Sequence, residues 1–577
     1  MPEIDSINPA EEASKVALEK MFSSIEDKRN FLLEAGAGAG KTYSLIKALQ
    51  YLIEKNGVEF LRKHQSIACI TYTNVASDEI RSRIDSHPVV FSSTIHAFCW
   101  SLIKDFQPEL RKNLTLIESW SERITEAGGL GEKKVRYELG YPKIDGDILL
   151  GHGDVITLTI ALMESKKFRE IFVSRYPVVL IDEYQDTDEK FIEALKKHFF
   201  VGSLKPLIGF FGDHWQKIYE EGGEQIAHPE LSVIGVEANF RSVAAIVDVL
   251  NKMRPELPQA VRDAAMLGTV GVYHTNSWTG TRQSKPHWKG DLPVEEAHNY
   301  LERLKEILVS DGWKFESGNT KVLMLTHNVL AKEQGYSGII EAFDGKNDRF
   351  VKKEDRHIKF LVEIIEPLCL AYERRQFGEM LQVIGGKHPV IHSHADKIGW
   401  KNDIEALMTI RSSGTVGDVI DHLKSTGRPH LPESVERKES KLSLPADKLD
   451  PDELKSIESL RALRGVPYQE IVALTKFINE KTPFSTKHGV KGAEFENVLV
   501  VIGRGWNLYD FNQMLEWFHS GVPTDRLKAF YRNRNLFYVA CSRARKNLAL
   551  LFTQKLSENA LKQLTAWFSD ENIHSIS

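Results

Sequence analysis

The sequence predicts an α/β protein built on two parallel sheets flanked by helices. Short apolar runs rich in β-branched residues recur in two separate places. Each set of runs alternates with helical patterns, the signature of parallel strands joined by crossover helices. Two mainly helical stretches, near 105–170 and near 330–480, interrupt the sets. The first set includes Ser66–Thr71, 177–182 and Leu207–Gly212, and the strand 30–33 precedes them. The second includes Lys321–Thr326, Val498–Ile502 and Leu548–Phe552. The 577 residues allow about four compact units, and a hydrophobic content of 42% can fill several cores.

Charge and composition exclude some classes. A net charge of −5 rules out a histone-like coat protein but leaves room for a local basic channel. Cys69, Cys99, Cys369 and Cys541 are scattered without metal-ligand spacing, which suits a reducing cytoplasm. The N-terminus is acidic and lacks an apolar core, so no signal peptide is expected, and no run is long enough to span a bilayer. The charged segment 432–441 reads as a solvated linker or mobile loop. In His392-Ser393-His394-Ala395-Asp396, alternate residues would share one face of a strand, as metal ligands can. With no cysteine or further carboxylate at a fixed offset, a polar loop or exposed strand is the plainer reading.

Two segments carry chemistry. Ala35-Gly36-Ala37-Gly38-Ala39-Gly40-Lys41-Thr42 follows the strand at 30–33 and opens a helix. Small residues let consecutive N–H groups wrap phosphate oxygens at the positive helix end. Lys41 then reaches the β- and γ-phosphates of a nucleotide and Thr42 holds magnesium. The strict form of this loop has Gly where Ala35 stands. Asp182-Glu183-Tyr184-Gln185-Asp186-Thr187 ends the strand at 177–181. Asp182 suits a magnesium ion and Glu183 an attacking water. The plainer role for this acidic pair, an N-cap and first-turn acid of the next helix, is compatible with catalysis.

With these pieces in order, the chain resembles the UvrD/Rep/PcrA group of superfamily 1 DNA helicases. The resemblance spans nearly the whole length. It implies two RecA-like parallel-sheet motor domains with two mainly helical inserted subdomains. The expected limits are 1–105 and 171–228 for the first motor domain, 106–170 for its insertion, 229–330 and 481–577 for the second, and 331–480 for the other insertion. Thr71-Tyr72-Thr73-Asn74 and Ser93-Thr94-Ile95-His96 resemble DNA-contact motifs, which implies Tyr72, Asn74, Thr94 and His96 at the strand. Gly212-Asp213 with Gln216-Lys217-Ile218-Tyr219 resembles the motif linking the γ-phosphate to DNA through Gln216 and Tyr219. Asn239-Phe240-Arg241-Ser242 resembles the element whose aromatic packs on adenine and whose arginine is a finger. Thr486–Phe495 resembles the motif whose Glu494 reaches the ribose, with His488 toward DNA. Tyr538–Arg545 resembles the last motif and makes Arg543 the second finger. Phosphoryl transfer needs charge neutralisation and in-line positioning, which Lys41, magnesium, Arg241 and Arg543 would supply. ATP is then expected between the two halves, and the aromatics Tyr72, Phe98, Trp215 and Tyr219 are candidates for stacking on bases.

Several positions depart from the group's pattern. Glu11 stands where a glutamine reads adenine, and an ionised carboxylate only accepts hydrogen bonds. Looser nucleotide selectivity is therefore expected. Glu220-Glu221-Gly222-Gly223 replaces an aromatic and an arginine, so weak unwinding is expected. The chain ends soon after its last motif, so no long tail or fused nuclease is expected. The leading reading is an ATP- and magnesium-dependent 3′–5′ helicase or translocase acting on single-stranded or tailed duplex DNA in the cytoplasm. A second is a DNA-stimulated ATPase subunit that licenses a partner nuclease. Short UvrD-like proteins resembling this chain stand beside an OLD-family nuclease in Gabija-type anti-phage systems. A third, a P-loop kinase or GTPase, conflicts with Asp182–Thr187 and both arginine motifs.

Overall fold

The apolar runs of the first half become one sheet. In chain order the strands are β1 (Phe31–Ala35), β2 (Ile67–Thr71), β3 (Val90–Thr94), β4 (Val135–Tyr137), β5 (Lys143–Asp145), β6 (Asp147–Leu150), β7 (Val178–Asp182), β8 (Leu207–Gly212) and β9 (Ser232–Val236). Six of them form a sheet in the order β3-β2-β7-β8-β1-β9, every pair parallel. β1, β2, β7 and β8 are buried along their whole length, as parallel strands covered on both faces must be. Alternate side chains feed two cores. Phe31 and Leu33 join Leu45, Leu49 and Leu180 in one, while Leu32 joins Phe98 and Ile181 in the other.

The computed structural model describes residues 8–138, 142–202, 205–218, 225–284, 288–316, 318–324, 335–343, 350, 353–384, 393–445, 451–479, 484–486, 493–503 and 509–576. The chain forms two compact units. The first comprises Met1–Val270, Gln513–Leu548 and Ser557–Asn572, and the second Gly271–Asn512, Ala549–Leu556 and Ile573–Ser577. In the first, the segment after the helix Ile95–Ile103 is mainly helical, with one addition. β4 and β6 pair in parallel and β5 joins β6 antiparallel, burying Val135, Ile148 and Leu150. Strands of three or four residues are too short to show a period in the sequence.

β10 (Ala238–Asn239) and β11 (Ala260–Val261) form a short parallel pair in the first unit. β12 (Thr269–His274), β13 (Thr320–Met324), β14 (Phe484–Thr486), β15 (Phe495–Ile502), β16 (Ala544–Phe552) and β17 (Ile573–Ser575) follow. They make the second sheet, ordered β14-β13-β15-β16-β12-β17, with parallel pairing of β13 to β14, β13 to β15 and β12 to β17. Between 331 and 480 the named elements among the described residues are all helices. They share a core with this sheet, where Leu499, Val501 and Leu551 meet Ile365 and Leu474. The architecture is thus the two-sheet α/β fold with mainly helical insertions that the sequence predicts.

Two local expectations are corrected. Segment 432–441 contains a helix, Glu433–Ser440, rather than a mobile loop. Most of its charges are paired: Arg437 with Glu433 at 2.6 Å, and Lys438 with Asp355 at 3.1 Å. Buried Glu439 sits between His357 Nε2 (2.9 Å) and Arg464 Nη1 (2.6 Å), and Val435 anchors the same turn in the core. The second correction concerns His394 and Asp396, which lie on a helix, His394–Ser413, where alternate residues diverge. Ser393 caps it through Asp396 N–H at 3.2 Å, and the Asp396 carboxylate accepts from Ser393 N–H at 3.0 Å. That carboxylate is committed to the cap. His392 lies outside the described residues. No helix among the described residues is long and apolar enough to cross a membrane.

Candidate nucleotide site

At the end of β1 the chain turns through Gly36–Gly40 into the 22-residue helix Lys41–Arg62. Gly38 and Gly40 have φ of +76° and +81°, where a side chain would be strained. A Cβ on Gly38 would also come within 2.8 Å of Asn239 Oδ1. The loop is braced from outside. Ala37 O accepts from Asn239 Nδ2 (3.1 Å) and Gln259 Nε2 (3.2 Å), and Ala37 N–H donates to the Tyr538 hydroxyl (3.4 Å). Gly38 O accepts from Phe240 N–H at 2.9 Å, and the Phe240 ring lies beside Gly40. The first helical turn contains Lys41 and Thr42 and no acidic residue, so its N-terminal field suits an anion.

β7 delivers Asp182, and Glu183 follows in a left-handed conformation, φ 48° and ψ 49°. For a residue with a Cβ this costs about 1–2 kcal/mol, and it turns the carboxylate toward Lys41. Glu183 Oε2 lies 3.1 Å from Lys41 Nζ and also accepts from Gln185 Nε2. Burial, then the Glu183 charge, pushes the Asp182 carboxyl up to about 7 against the pull of Lys41. Burial alone would lower Lys41, but Glu183, Asp213 and Asp182 outweigh it and hold the ammonium above its usual value. Carboxylates in this excess over one ammonium favour a further cation. The Asp182 carboxylate and Thr42 hydroxyl are hard oxygen donors of the kind magnesium takes.

β8 ends at Gly212, ahead of Asp213 and Gln216, both buried. Gln216 Nε2 donates to Asp213 Oδ2 at 2.8 Å, and Gln216 Oε1 accepts from Arg543 Nη2 at 3.3 Å. Arg543 is 1% exposed and also donates through Nε to Val539 O at 3.0 Å. Arg241 Nη1 donates to Ser542 O at 3.0 Å, beside it in the chain. Burial first, then the Arg241 charge, draws the Arg543 guanidinium down, so an arriving anion relieves both. Lys41, Thr42, Asp182, Glu183, Gln216, Phe240, Arg241 and Arg543 all belong to the first unit. Glu494 belongs to the second, exposed and one residue ahead of β15.

Residues 19–139 and 130–223 match the family model described as the UvrD/REP helicase N-terminal domain. The chain is 25% identical to the Gabija protein GajB of Bacillus cereus (strain HuB5-5), over 95% of this chain and 97% of that protein. It is 24% identical to the ATP-dependent DNA helicase PcrA of Staphylococcus aureus (strain Mu50 / ATCC 700699), over 38% of this chain and 37% of that protein. Residues 19–223 thus carry a UvrD/REP helicase N-terminal domain match, and the chain is UvrD-like along that stretch. These likenesses support an ATP-dependent, helicase-like function.

The segments expected to contact DNA fall at the carboxyl edge of β2 and β3, where Thr71 and Thr94 are register partners. Tyr72 is 47% exposed just past β2. Asn74 is exposed at the start of the helix Asn74–Arg83, which Thr73 caps. Thr94 caps the helix Ile95–Ile103 through Ala97 N–H at 3.5 Å. His96 is half-buried with its ring 4.3 Å from that of His152; burial and then His152 hold it below the usual histidine range. Tyr219 and His488 lie outside the described residues, as does the segment 220–223. Two stacking candidates are corrected. Phe98 is buried in a ring cluster with Phe172 and Tyr176. Trp215 is buried under the Arg534 guanidinium at 3.8 Å and against the Tyr538 ring at 5.3 Å. Neither ring presents a face to solvent.

Sequence reasoning missed the groups behind the site: buried Glu34, Tyr184, Arg254 and Tyr538, and half-buried His214. One signal was available. Glu34 interrupts an otherwise apolar β1, and a carboxylate inside a buried strand requires partners elsewhere in the chain. Burial raises Glu34, but His214, Arg254 and Tyr184 overcome it and hold the carboxyl at about 2.

Proposed function

We propose that this chain is an ATP-driven motor on DNA, moving 3′ to 5′ along a single strand. The observation that carries the reading is the convergence of Lys41, Asp182, Glu183, Gln216 and Arg543 at one end of the first sheet. Lys41 neutralises the β- and γ-phosphates, and nucleotide phosphate replaces Glu183 as its partner. That exchange frees the Glu183 carboxylate to orient or deprotonate water. Asp182 and Thr42 hold magnesium, whose chemistry here is neutralisation of phosphate charge. Arg241 and Arg543 stabilise the charge that grows as the γ-phosphate leaves. Phe240 packs on the base, and Glu494 reaches the ribose. Tyr72, Asn74, Thr94, His96, Tyr219 and His488 line the strand. The motor domains are 1–105 with 171–228, and 229–330 with 481–577.

A second reading is favoured by one comparison. The likeness to GajB runs along both chains almost entirely, whereas the likeness to PcrA spans just over a third of each. In that reading the ATP cycle licenses an OLD-family nuclease partner in anti-phage defence. The test is ATP turnover with and without single-stranded DNA, followed by unwinding of tailed duplexes with and without such a nuclease. DNA-stimulated turnover that Lys41→Ala abolishes supports the motor. Turnover indifferent to DNA contradicts it. Turnover coupled to nuclease activity, with poor unwinding by the chain alone, selects the second reading.

A further inference from the structure

Arg254 is 2% exposed, and so deep a guanidinium demands a reason. It caps the helix Ala244–Met253 and reaches two buried carboxylates. Its Nη2 donates to Glu34 Oε1 at 2.9 Å and its Nη1 to Asp213 Oδ1 at 2.7 Å. Glu34, Asp213 and His214 place ligand atoms close enough together to share a cation. The arginine is that cation. Replacing such a buried ionic cluster with apolar side chains of similar volume is commonly neutral or stabilising. The cluster also holds geometry.

The geometry it holds belongs to the nucleotide site. Glu34 Oε2 accepts from the Tyr184 hydroxyl at 2.8 Å, and Tyr184 directly follows Glu183 with its left-handed backbone. Asp213 Oδ2 accepts from Gln216 Nε2 at 2.8 Å. Asp213 N–H donates to Gln185 Oε1 at 3.1 Å, and Gln185 Nε2 donates to the Glu183 carboxylate. Hydrogen bonds thus run from Arg254 through Glu34 to the corner that carries Glu183, and through Asp213 to both Gln216 and Glu183. Asn535 clamps the same turn by donating to His214 O (2.9 Å) and Lys217 O (3.2 Å).

We propose that Glu34 and Arg254 are positioning residues for ATP hydrolysis, a buried pair that fixes Glu183 and Gln216 about the γ-phosphate. This rests on the ATPase reading of the site. Neither residue touches nucleotide; both act through Tyr184, Gln185 and Asp213. Loss of the pair should slow turnover and spare nucleotide binding.

The test uses the full chain, with turnover, KM for ATP and thermal unfolding measured on four proteins. These are the wild type, Glu183→Gln, Tyr184→Phe and the double variant Glu34→Leu/Arg254→Met. The double variant removes the Glu34–Arg254 pair but leaves buried Asp213 without its guanidinium, so it should unfold below the wild-type temperature, and its kinetics are compared where it stays folded. Its kcat should fall by about tenfold or more with KM for ATP within about twofold, the mark of a displaced catalytic geometry. Tyr184→Phe should lose about threefold or more in kcat in the same way. A folded double variant with wild-type kcat, or one that raises KM at unchanged kcat, overturns the proposal. Should the double variant not fold, Tyr184→Phe decides alone, by the same two criteria. Wild-type protein that hydrolyses no ATP defeats the underlying ATPase reading. Turnover that Glu183→Gln abolishes and the other variants leave intact defeats only the positioning role.

Discussion

Each compact unit sets an arginine between carboxylates, Arg254 buried and Arg411 half-buried, and the two serve different neighbours. In the second unit, Arg411 Nε and Nη2 grip both oxygens of Glu366 at 2.9 Å each, and its Nη1 reaches Glu373 at 3.0 Å. Both carboxylates lie on one helix, Glu366–Glu373, so the arginine ties the helix His394–Ser413 to it. In the first unit, Arg254 joins carboxylates from two strand ends, Glu34 of β1 and Asp213 after β8. Those strand ends carry the phosphate loop and Gln216. The chemistry of the two clusters is the same. What differs is whether moving the carboxylate disturbs a helix pair or a reacting group. A buried ion pair therefore cannot be assigned to stability or to catalysis until the path from it to the site has been traced.

A third class of arginine sets the largest expected effect. Arg543→Ala should lower kcat by about 10³-fold, equivalent to about 4 kcal/mol, with little change in ATP affinity. Steady-state kinetics check this, and an effect confined to KM would remove the arginine from the transition state. Arg411→Ala should instead cost stability. It strands Glu366, whose side chain is 1% exposed, and such losses run to about 3–5 kcal/mol. Its kcat at a temperature where it stays folded should match the wild type. A loss of turnover comparable to that of the Glu34/Arg254 double variant would break the contrast between the units.

Acid sharpens it further. The Glu34 carboxyl is held at about 2, below its ordinary value of 4.5, so the folded state binds that proton more weakly than the unfolded chain. The resulting stability, roughly 3 kcal/mol, is fully present above pH 4.5 and is lost as pH falls toward 2. Glu34→Gln should flatten this part of the unfolding profile, measured by circular dichroism across that range. An unchanged acid limb would mean the carboxylate is not held by its partners. The smallest effect belongs to the second unit. Ser393→Ala removes a helix cap and should cost about 1 kcal/mol without altering turnover.

Much of this was legible along the chain, and the limit has a physical cause. β1, β2, β7 and β8 announced themselves as short apolar runs because both of their faces are covered. The loop at 36–42 and the pair Asp182-Glu183 were legible because phosphate and metal chemistry demand fixed residue types at fixed spacing. Arg254, Tyr538 and Asn535 were not, since their partners lie hundreds of positions away or on other elements and leave no local pattern. The helix Glu433–Ser440 looked like a solvated charge run because its burial rests on Glu439, whose partners His357 and Arg464 come from elsewhere. Phe98 and Trp215 show the converse: an aromatic inside a recognisable motif can still be core.

The central claim is that Glu183 acts on water once phosphate takes its place at Lys41. Single-turnover hydrolysis of magnesium-ATP on single-stranded DNA, compared between wild type and Glu183→Gln, tests it most directly. The variant should bind nucleotide as well as the wild type, since Lys41 no longer has a competing carboxylate, yet hydrolyse it at least about 100-fold more slowly. Equal loss of binding and hydrolysis in Glu183→Gln, or hydrolysis at the wild-type rate, would contradict the account.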